Sequence, residues 1–444
     1  MLLPALGLML ALPVAVPQER AAVVDIRAAT AADVAALKQD SGVQWWLEMG
    51  TRLVIGGERD AIGKLAGRHP SLGEFDALDR GDLALRAVGC DPGEAAPGRL
   101  LVQSGRWQLR QLDRGSALPA SDGHEIWRRV GTSAVLARQF RLDLPEGVAP
   151  DPLIQPIVER IDATRWFADL TQLAGWDRSS YGTTGLNAAR DWIKGRFQGL
   201  GLVATTPDFA MPSASGGSIT RQNVVGVWTG TALPDEWIIV GAHYDSRNSN
   251  GSAVTNTPGA EDNASGCAGV IEVARALLPF KPRRSMLFIC YAGEEQGLYG
   301  STRHVQALQS SGDIAKVGSV VIMDMIGYSA DDALDALYES RAAYQPFLDR
   351  FGAAAAAYVP GLNITLSTNP FGSDHMPYLN ANKETVLAID SDYADYPHYH
   401  RSTDTPANMG VNAQAMGAAI LKTNVAVLAE LAGASDRLFA DGLQ

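Results

Sequence analysis

The run Trp237-Ile-Ile-Val-Gly-Ala-His-Tyr-Asp-Ser246 decides the fold. Its front half is the short apolar pattern of a strand covered on both faces, and its back half turns abruptly polar. Working outward, the apolar runs at 286–291, 319–325 and 385–389 repeat that pattern. Apolar residues recur at helical spacing over 186–197, 267–278, 298–308, 344–356 and 413–431, and Gly199 and Gly201 mark a helix stop. Strands alternating with helices predict an α/β fold, a three-layer α/β/α sandwich around a mostly parallel, mixed central sheet.

The chemistry-bearing residues fall where strands give way to loops, the usual place for sites in open α/β sheets. His243 and Asp245 follow the first run, and Asp262 lies in a loop just before a helix. Glu294 and Glu295 follow the run at 286–291, Asp324 sits inside the strand expected over 320–326, and His400 lies in Tyr399-His-Arg-Ser-Thr-Asp-Thr405. Singly, each has a plain structural role: a histidine after a strand hydrogen-bonds, Asp262 caps a helix, and a Glu-Glu pair makes a solvated turn. Asp324 is harder to place that way, because Val321, Ile322, Met323, Met325 and Ile326 surround it in sequence. A carboxylate buried there needs a counter-charge, and a metal ion supplies one.

Imidazole nitrogen with carboxylate oxygen and no cysteine is the donor set of a catalytic zinc. Two histidines and three carboxylates exceed the needs of one four-coordinate ion, but suffice for two Zn²⁺ if one carboxylate bridges them. Asp245, two residues after His243, is placed to accept the second ring N–H and fix the imidazole.

Six runs resemble the motifs of the bacterial leucyl aminopeptidase-like zinc metallopeptidases. They are Gly241-Ala-His-Tyr-Asp-Ser246, Gly259-Ala-Glu-Asp-Asn-Ala-Ser-Gly266, Tyr291-Ala-Gly-Glu-Glu-Gln-Gly-Leu-Tyr-Gly-Ser301, Asp324-Met-Ile-Gly-Tyr328, Ser373-Asp-His375 and His400-Arg-Ser-Thr-Asp-Thr405. The resemblance covers about residues 154–435. It implies a metal-dependent aminopeptidase that hydrolyses the first peptide bond of peptides with a free N-terminus. Asp262 would bridge two zinc ions, with His243 and Asp324 completing one and Glu295 and His400 the other. Glu294 would be the general base, passing a proton from water to the leaving amine, and Asp245 the partner of His243. The Asp262–Asn263 peptide is expected to be cis. Ser373, Asp374 and His375 would either shape the pocket or cap a helix, and His304 and His398 are read as structural. A single-zinc glutaminyl cyclase on the same fold is the alternative, as are a non-catalytic binding ectodomain and a carboxypeptidase on a related scaffold.

Residues 21–150 differ in character: short strands at 22–27, 50–56, 99–104 and 134–144 and a helix at 31–38 suggest a small α+β domain, and His69 and His124 are isolated. The run Val148-Ala-Pro-Asp-Pro-Leu153 reads as a linker to a catalytic domain over 151–444. For an exported peptidase the N-terminal domain is an accessory module or, by a slight preference, a propeptide. Residues 1–17 carry no charged side chain and resemble the apolar part of a secretory signal, so 1–20 is expected to be a leader and the protein secreted or periplasmic. With a formal charge of −12, the chain lacks the basic face a nucleic-acid partner needs. No stretch after the leader reads as long and apolar enough to span a membrane. Three cysteines make no disulfide framework. Cys267 and Cys290 are expected as buried thiols, with one bridge remaining open. Nothing in the sequence sets the oligomeric state or the preferred N-terminal residue.

Overall fold

The computed structural model describes residues 19–26, 29–88, 96–104, 107–120, 126–131, 133–139, 149–331, 333–370 and 372–434. The expected leader lies outside these residues except for Glu19 and Arg20, as do Cys90 and His124. The N-terminal region holds strands β1 (Glu19–Asp25), β2 (Val43–Gly50), β3 (Arg52–Glu58), β4 (Ser71–Leu78), β5 (Leu83–Ala87), β6 (Arg99–Ser104), β7 (Trp107–Gln111), β8 (Ile126–Arg129) and β9 (Ala134–Gln139), with helices α1 (Ala31–Gln39) and α2 (Arg59–Ala66). Thr30 opens α1 with a capping box: its Oγ1 accepts from the Asp33 N–H while the Asp33 carboxylate reaches back to the Thr30 N–H.

The C-terminal region continues with β10 (Val203–Thr205), β11 (Asp208–Pro212), β12 (Ser218–Gln222), β13 (Val224–Trp228), β14 (Leu233–His243), β15 (Arg284–Tyr291), β16 (Val317–Met323), β17 (Leu334–Glu339), β18 (Leu362–Ser367) and β19 (Glu384–Asp390). Its helices are α3 (Gln155–Val158), α4 (Ala163–Ala174), α5 (Thr184–Gly199), α6 (Gly266–Leu277), α7 (Tyr299–Ser311), α8 (Gln345–Tyr358), α9 (His375–Asn380) and α10 (Ala413–Ala432). At the centre, β15, β14, β16 and β19 lie side by side and parallel, flanked by antiparallel β13 and β17. Side chains alternate between the faces, as the pleat requires: Ile238, Val240 and Ala242 of β14 join one core and Ile239 the other. Helices α4, α6, α8 and α10 supply the first core, and α7 and α9 the second, which makes the three layers.

Three expectations need correcting. Strand β16 ends at Met323, so Asp324 stands just past the strand, at its C-terminal end; its N–H still donates to the Ala388 carbonyl at 3.1 Å. Cys267 and Cys290 are bridged, not free: burial on facing sides of the α6–β15 contact brings their Cα atoms to 5.9 Å. Helix α10 is, among the described residues, long and apolar enough to cross a membrane, but 72% of its apolar window is buried inside the fold, where it packs on α3, α4, α6 and α8. The N-terminal region joins the same sheet. Its β9 pairs antiparallel with β18, the last C-terminal strand in the sheet order (Thr365 opposite Gln139, Leu366 opposite Arg138), so a single 13-stranded sheet runs through both regions.

Candidate metal centre

Parallel register lines up the ends of the central strands. His243 closes β14 opposite Tyr291 at the end of β15, and Asp324 follows β16 beside β19. The loops beyond these ends converge on one buried spot, and they do so through named bonds. Asn263 binds the Met323 carbonyl through Nδ2 at 3.0 Å and accepts from the Gly266 and Met325 N–H groups at 2.8 and 3.3 Å, tying the Asp262 loop to the strand that carries Asp324. Asp404, four residues after His400, accepts the N–H groups of Glu261 and Asp262 at 2.9 and 3.1 Å. Gly259 enters this loop with φ of +50°, and a Cβ there would sit 2.4 Å from both the Asp262 carbonyl oxygen and the Ser246 Cβ, so only glycine fits. The Asp262–Asn263 peptide is cis.

Two trios of side chains result, and they share Asp262. His243 Nε2 lies 3.2 Å from Asp262 Oδ1 and 3.4 Å from Asp324 Oδ1. His400 Nε2 lies 2.8 Å from Asp262 Oδ2 and 3.0 Å from Glu295 Oε2. All five residues are at most 4% exposed. His243 Nε2, Asp324 Oδ1, both Glu295 carboxylate oxygens and His400 Nε2 make no hydrogen bond to any group outside this cluster. Buried polar atoms left this way are costly, and five of them pointing together fit cations held between them. The all-His/carboxylate donor set fits zinc.

Electrostatics point the same way. Burial opposes charge on the His400 imidazole, but Glu295 and Asp262 outweigh it and push its pKa up to about 10; His243 is likewise raised by Glu294 and Asp324. Burial raises Glu295 to about 7 and takes Glu294 well above the ordinary carboxylate range against the pull of His243. For Asp262, burial is overcome by the two histidines, which hold it below the usual range. In the ion-free protein, protons therefore stand where cations belong.

The structure brings His243, Asp262, Glu295, Asp324 and His400 together, with Glu294 Oε2 3.9 Å from His243 Nε2. Asp245 is adjacent but arranged differently from expectation. His243 Nδ1 is 3.1 Å from the Asp245 backbone carbonyl and 3.6 Å from its carboxylate Oδ1. That carboxylate instead accepts from Ser180 Oγ at 3.0 Å and the Glu294 N–H at 3.3 Å, so Asp245 links the His243 loop to the Glu294 loop. Ser373 does not cap α9; its hydroxyl donates to Asp324 Oδ2 at 2.6 Å and leaves Oδ1 facing His243. His304 bonds the Tyr378 hydroxyl and His398 the Thr403 hydroxyl, away from the trios. Sequence reasoning missed Asp404, Glu261, whose carboxylate accepts from the Gly327 and Tyr328 N–H groups, and Arg178. The first two stood inside quoted motifs without a role, and Arg178 carried no signal.

Residues 223–424 match the sequence profile of peptidase family M28. This region belongs to that family. Both trios therefore lie within a peptidase region of the chain. The chain is 28% identical over 303 residues to a probable zinc metalloprotease of Leptosphaeria maculans, covering 58% of this chain and 70% of that one. A probable zinc metalloprotease of Pyricularia oryzae is 33% identical over 195 residues, 40% of this chain and 38% of that one, so the match spans about two fifths of the fungal protein. Among solved structures, the LapA aminopeptidase of Legionella pneumophila superposes with a TM-score of 0.54 at 22% identity, over 79% of this chain and 98% of LapA, which shows a shared fold.

Proposed function

We propose that this M28 metallopeptidase is an aminopeptidase working with two zinc ions and Glu294 as general base. The observation that carries the reading is Asp262, whose two carboxylate oxygens face two different trios. His243 and Asp324 would hold one ion, Glu295 and His400 the other, and Asp262 both. When bound, the pair of ions would acidify a shared water and polarise the scissile carbonyl. Glu294, buried beside His243 and outside both trios, takes the proton from that water and returns it to the leaving amine. Ser373 and Asp245 keep Asp324 and Glu294 in place.

Carboxylates outnumber cations around the trios, Asp374 adding one more fully buried acid. That surplus favours a substrate's N-terminal ammonium over a C-terminal carboxylate, and so an aminopeptidase over a carboxypeptidase. Two complete trios favour a pair of ions over the single zinc of a glutaminyl cyclase. The test is metal content together with hydrolysis of aminoacyl p-nitroanilides. Two zinc ions per chain and chelator-sensitive cleavage of free but not N-acetylated substrates are expected; equal cleavage of both would end the exopeptidase reading.

Export to an oxidising compartment fits the enclosed Cys267–Cys290 bridge, and cell fractionation checks it. The N-terminal region is read as a resident accessory domain. Besides the β9–β18 pairing, Ser367 Oγ donates to the Leu136 carbonyl at 3.0 Å and Asn369 Nδ2 to that of Val135 at 2.7 Å. A protease site placed at the exposed residues 149–150 tests this: after cutting, the two pieces should co-elute with activity retained. Active C-terminal piece eluting alone would make the region a propeptide.

A further inference from the structure

Between α4 and α5 the chain makes a short tight segment, 177–180, that belongs to no metal trio yet touches three of the loops that build them. Arg178 is its centre and is 0% exposed. Its Nε donates to the Tyr244 carbonyl at 2.7 Å, Nη1 to the Leu173 and Pro258 carbonyls at 2.6 Å each, and Nη2 to the Gly259 carbonyl at 2.6 Å. One planar guanidinium thus clasps the residue after His243 and the two residues that lead into the Asp262 loop. The backbone joins in, since the Ser246 N–H donates to the Arg178 carbonyl at 3.2 Å. Ser180 extends the lacing to the third loop: its hydroxyl donates to Asp245 Oδ2 at 3.0 Å and accepts from the Gly293 N–H at 2.8 Å.

The choice of arginine is informative. A fully buried guanidinium that meets only neutral carbonyls is expensive unless charge nearby repays it. Here burial lowers the Arg178 pKa to about 10, and Asp404, Asp245, Asp262 and Glu295 act in the opposite direction, so it stays protonated at neutral pH. None of those carboxylates is hydrogen-bonded to it, so the cation acts on them through space while its N–H groups hold backbone. A neutral side chain could not do the first, and an ammonium could not span the second.

We propose that Arg178 is a positioning residue for the metal centre: its guanidinium locks the His243 strand end to the Asp262 loop at the spacing the two trios need, and its buried charge offsets part of their carboxylate excess. The inference rests on the two-zinc reading above. Arg178 touches no ligand atom, so it acts through Tyr244, Pro258 and Gly259.

The experiment measures zinc stoichiometry and affinity, by competition with a chromophoric chelator, on the full chain and on Arg178→Met and Arg178→Lys, with circular dichroism confirming the fold. Supporting side chains of this kind set metal affinity over tenfold to a hundredfold. The expected result is a loss in that range for folded Arg178→Met and a smaller loss for Arg178→Lys. At saturating zinc both should show a lower kcat with KM within twofold of wild type. A folded Arg178→Met with wild-type zinc affinity overturns the proposal. If that variant does not fold, Arg178→Lys decides it, wild-type affinity again overturning it. A wild-type chain that takes up fewer than two ions overturns the metal reading itself, and this inference with it, whereas a two-ion wild type with unmoved variants overturns only the role of Arg178.

Discussion

Replacing Glu294 by Gln should separate catalysis from metal binding and from stability. Each imidazole Nε2 lies 2.8 to 3.4 Å from the carboxylate oxygens of its own trio, whereas Glu294 Oε2 stands 3.9 Å from the nearer imidazole. Gln is nearly isosteric, so both trios should keep their ions. General-base catalysis is worth roughly a hundredfold to ten-thousandfold, which corresponds to about 3–5 kcal/mol of transition-state stabilisation. The expected kcat of Glu294→Gln on an aminoacyl p-nitroanilide is therefore lower by that factor, with zinc content unchanged. Stability should move the other way in the ion-free protein. A carboxyl whose folded pKa lies above its unfolded value binds more protons when folded, so it destabilises increasingly as pH rises past about 4.5. Removing it should raise the melting temperature of the ion-free variant at pH 8 and leave it unchanged near pH 4. A variant that retains kcat within tenfold with both ions bound would refute the assignment of the base. One that loses an ion would make Glu294 a ligand instead.

Asp262→Asn removes the charge that both trios share, so zinc content should fall below two per chain and activity by at least about a hundredfold, the upper range for metal-site support; two ions bound at wild-type affinity would refute the bridge. His400 at about 10 and Glu295 at about 7 both sit above their unfolded values, so the ion-free fold holds extra protons. Its stability should decline from about pH 4.5 upward until His400 loses its proton near pH 10, whereas the zinc-loaded enzyme should lack this slope. Titration calorimetry in buffers of different ionisation enthalpy should register protons released on zinc uptake at pH 7. Replacing Cys267 and Cys290 together by Ala should cost about 3 kcal/mol, since the bridge spans 23 residues. Denaturant unfolding reads that loss, and an unchanged midpoint would remove the bridge from the native state.

What the sequence disclosed and what it hid divide along a physical line. The central strands were legible because burial on both faces forces unbroken apolar runs: 286–291 lies within β15, and 385–389 within β19. Helices α6 and α10 were legible from apolar spacing alone to within a residue. The candidate ligand residues were legible as a group because metal chemistry restricts which side chains serve, and parallel strands bring them to one edge. Strands β17 and β18 left no comparable mark, since runs such as Leu362–Ser367 interleave polar Asn363 and Thr365 and are completed by a neighbour, β9, more than 200 positions away in sequence. The residues that hold the ligands were hidden for a related reason. Asp404 works by accepting two backbone N–H groups and Arg178 by donating to four carbonyls. Backbone is the same at every position, so a side chain that recognises it carries no partner type to search for. Such residues become visible only once the loops they fasten have been brought into contact.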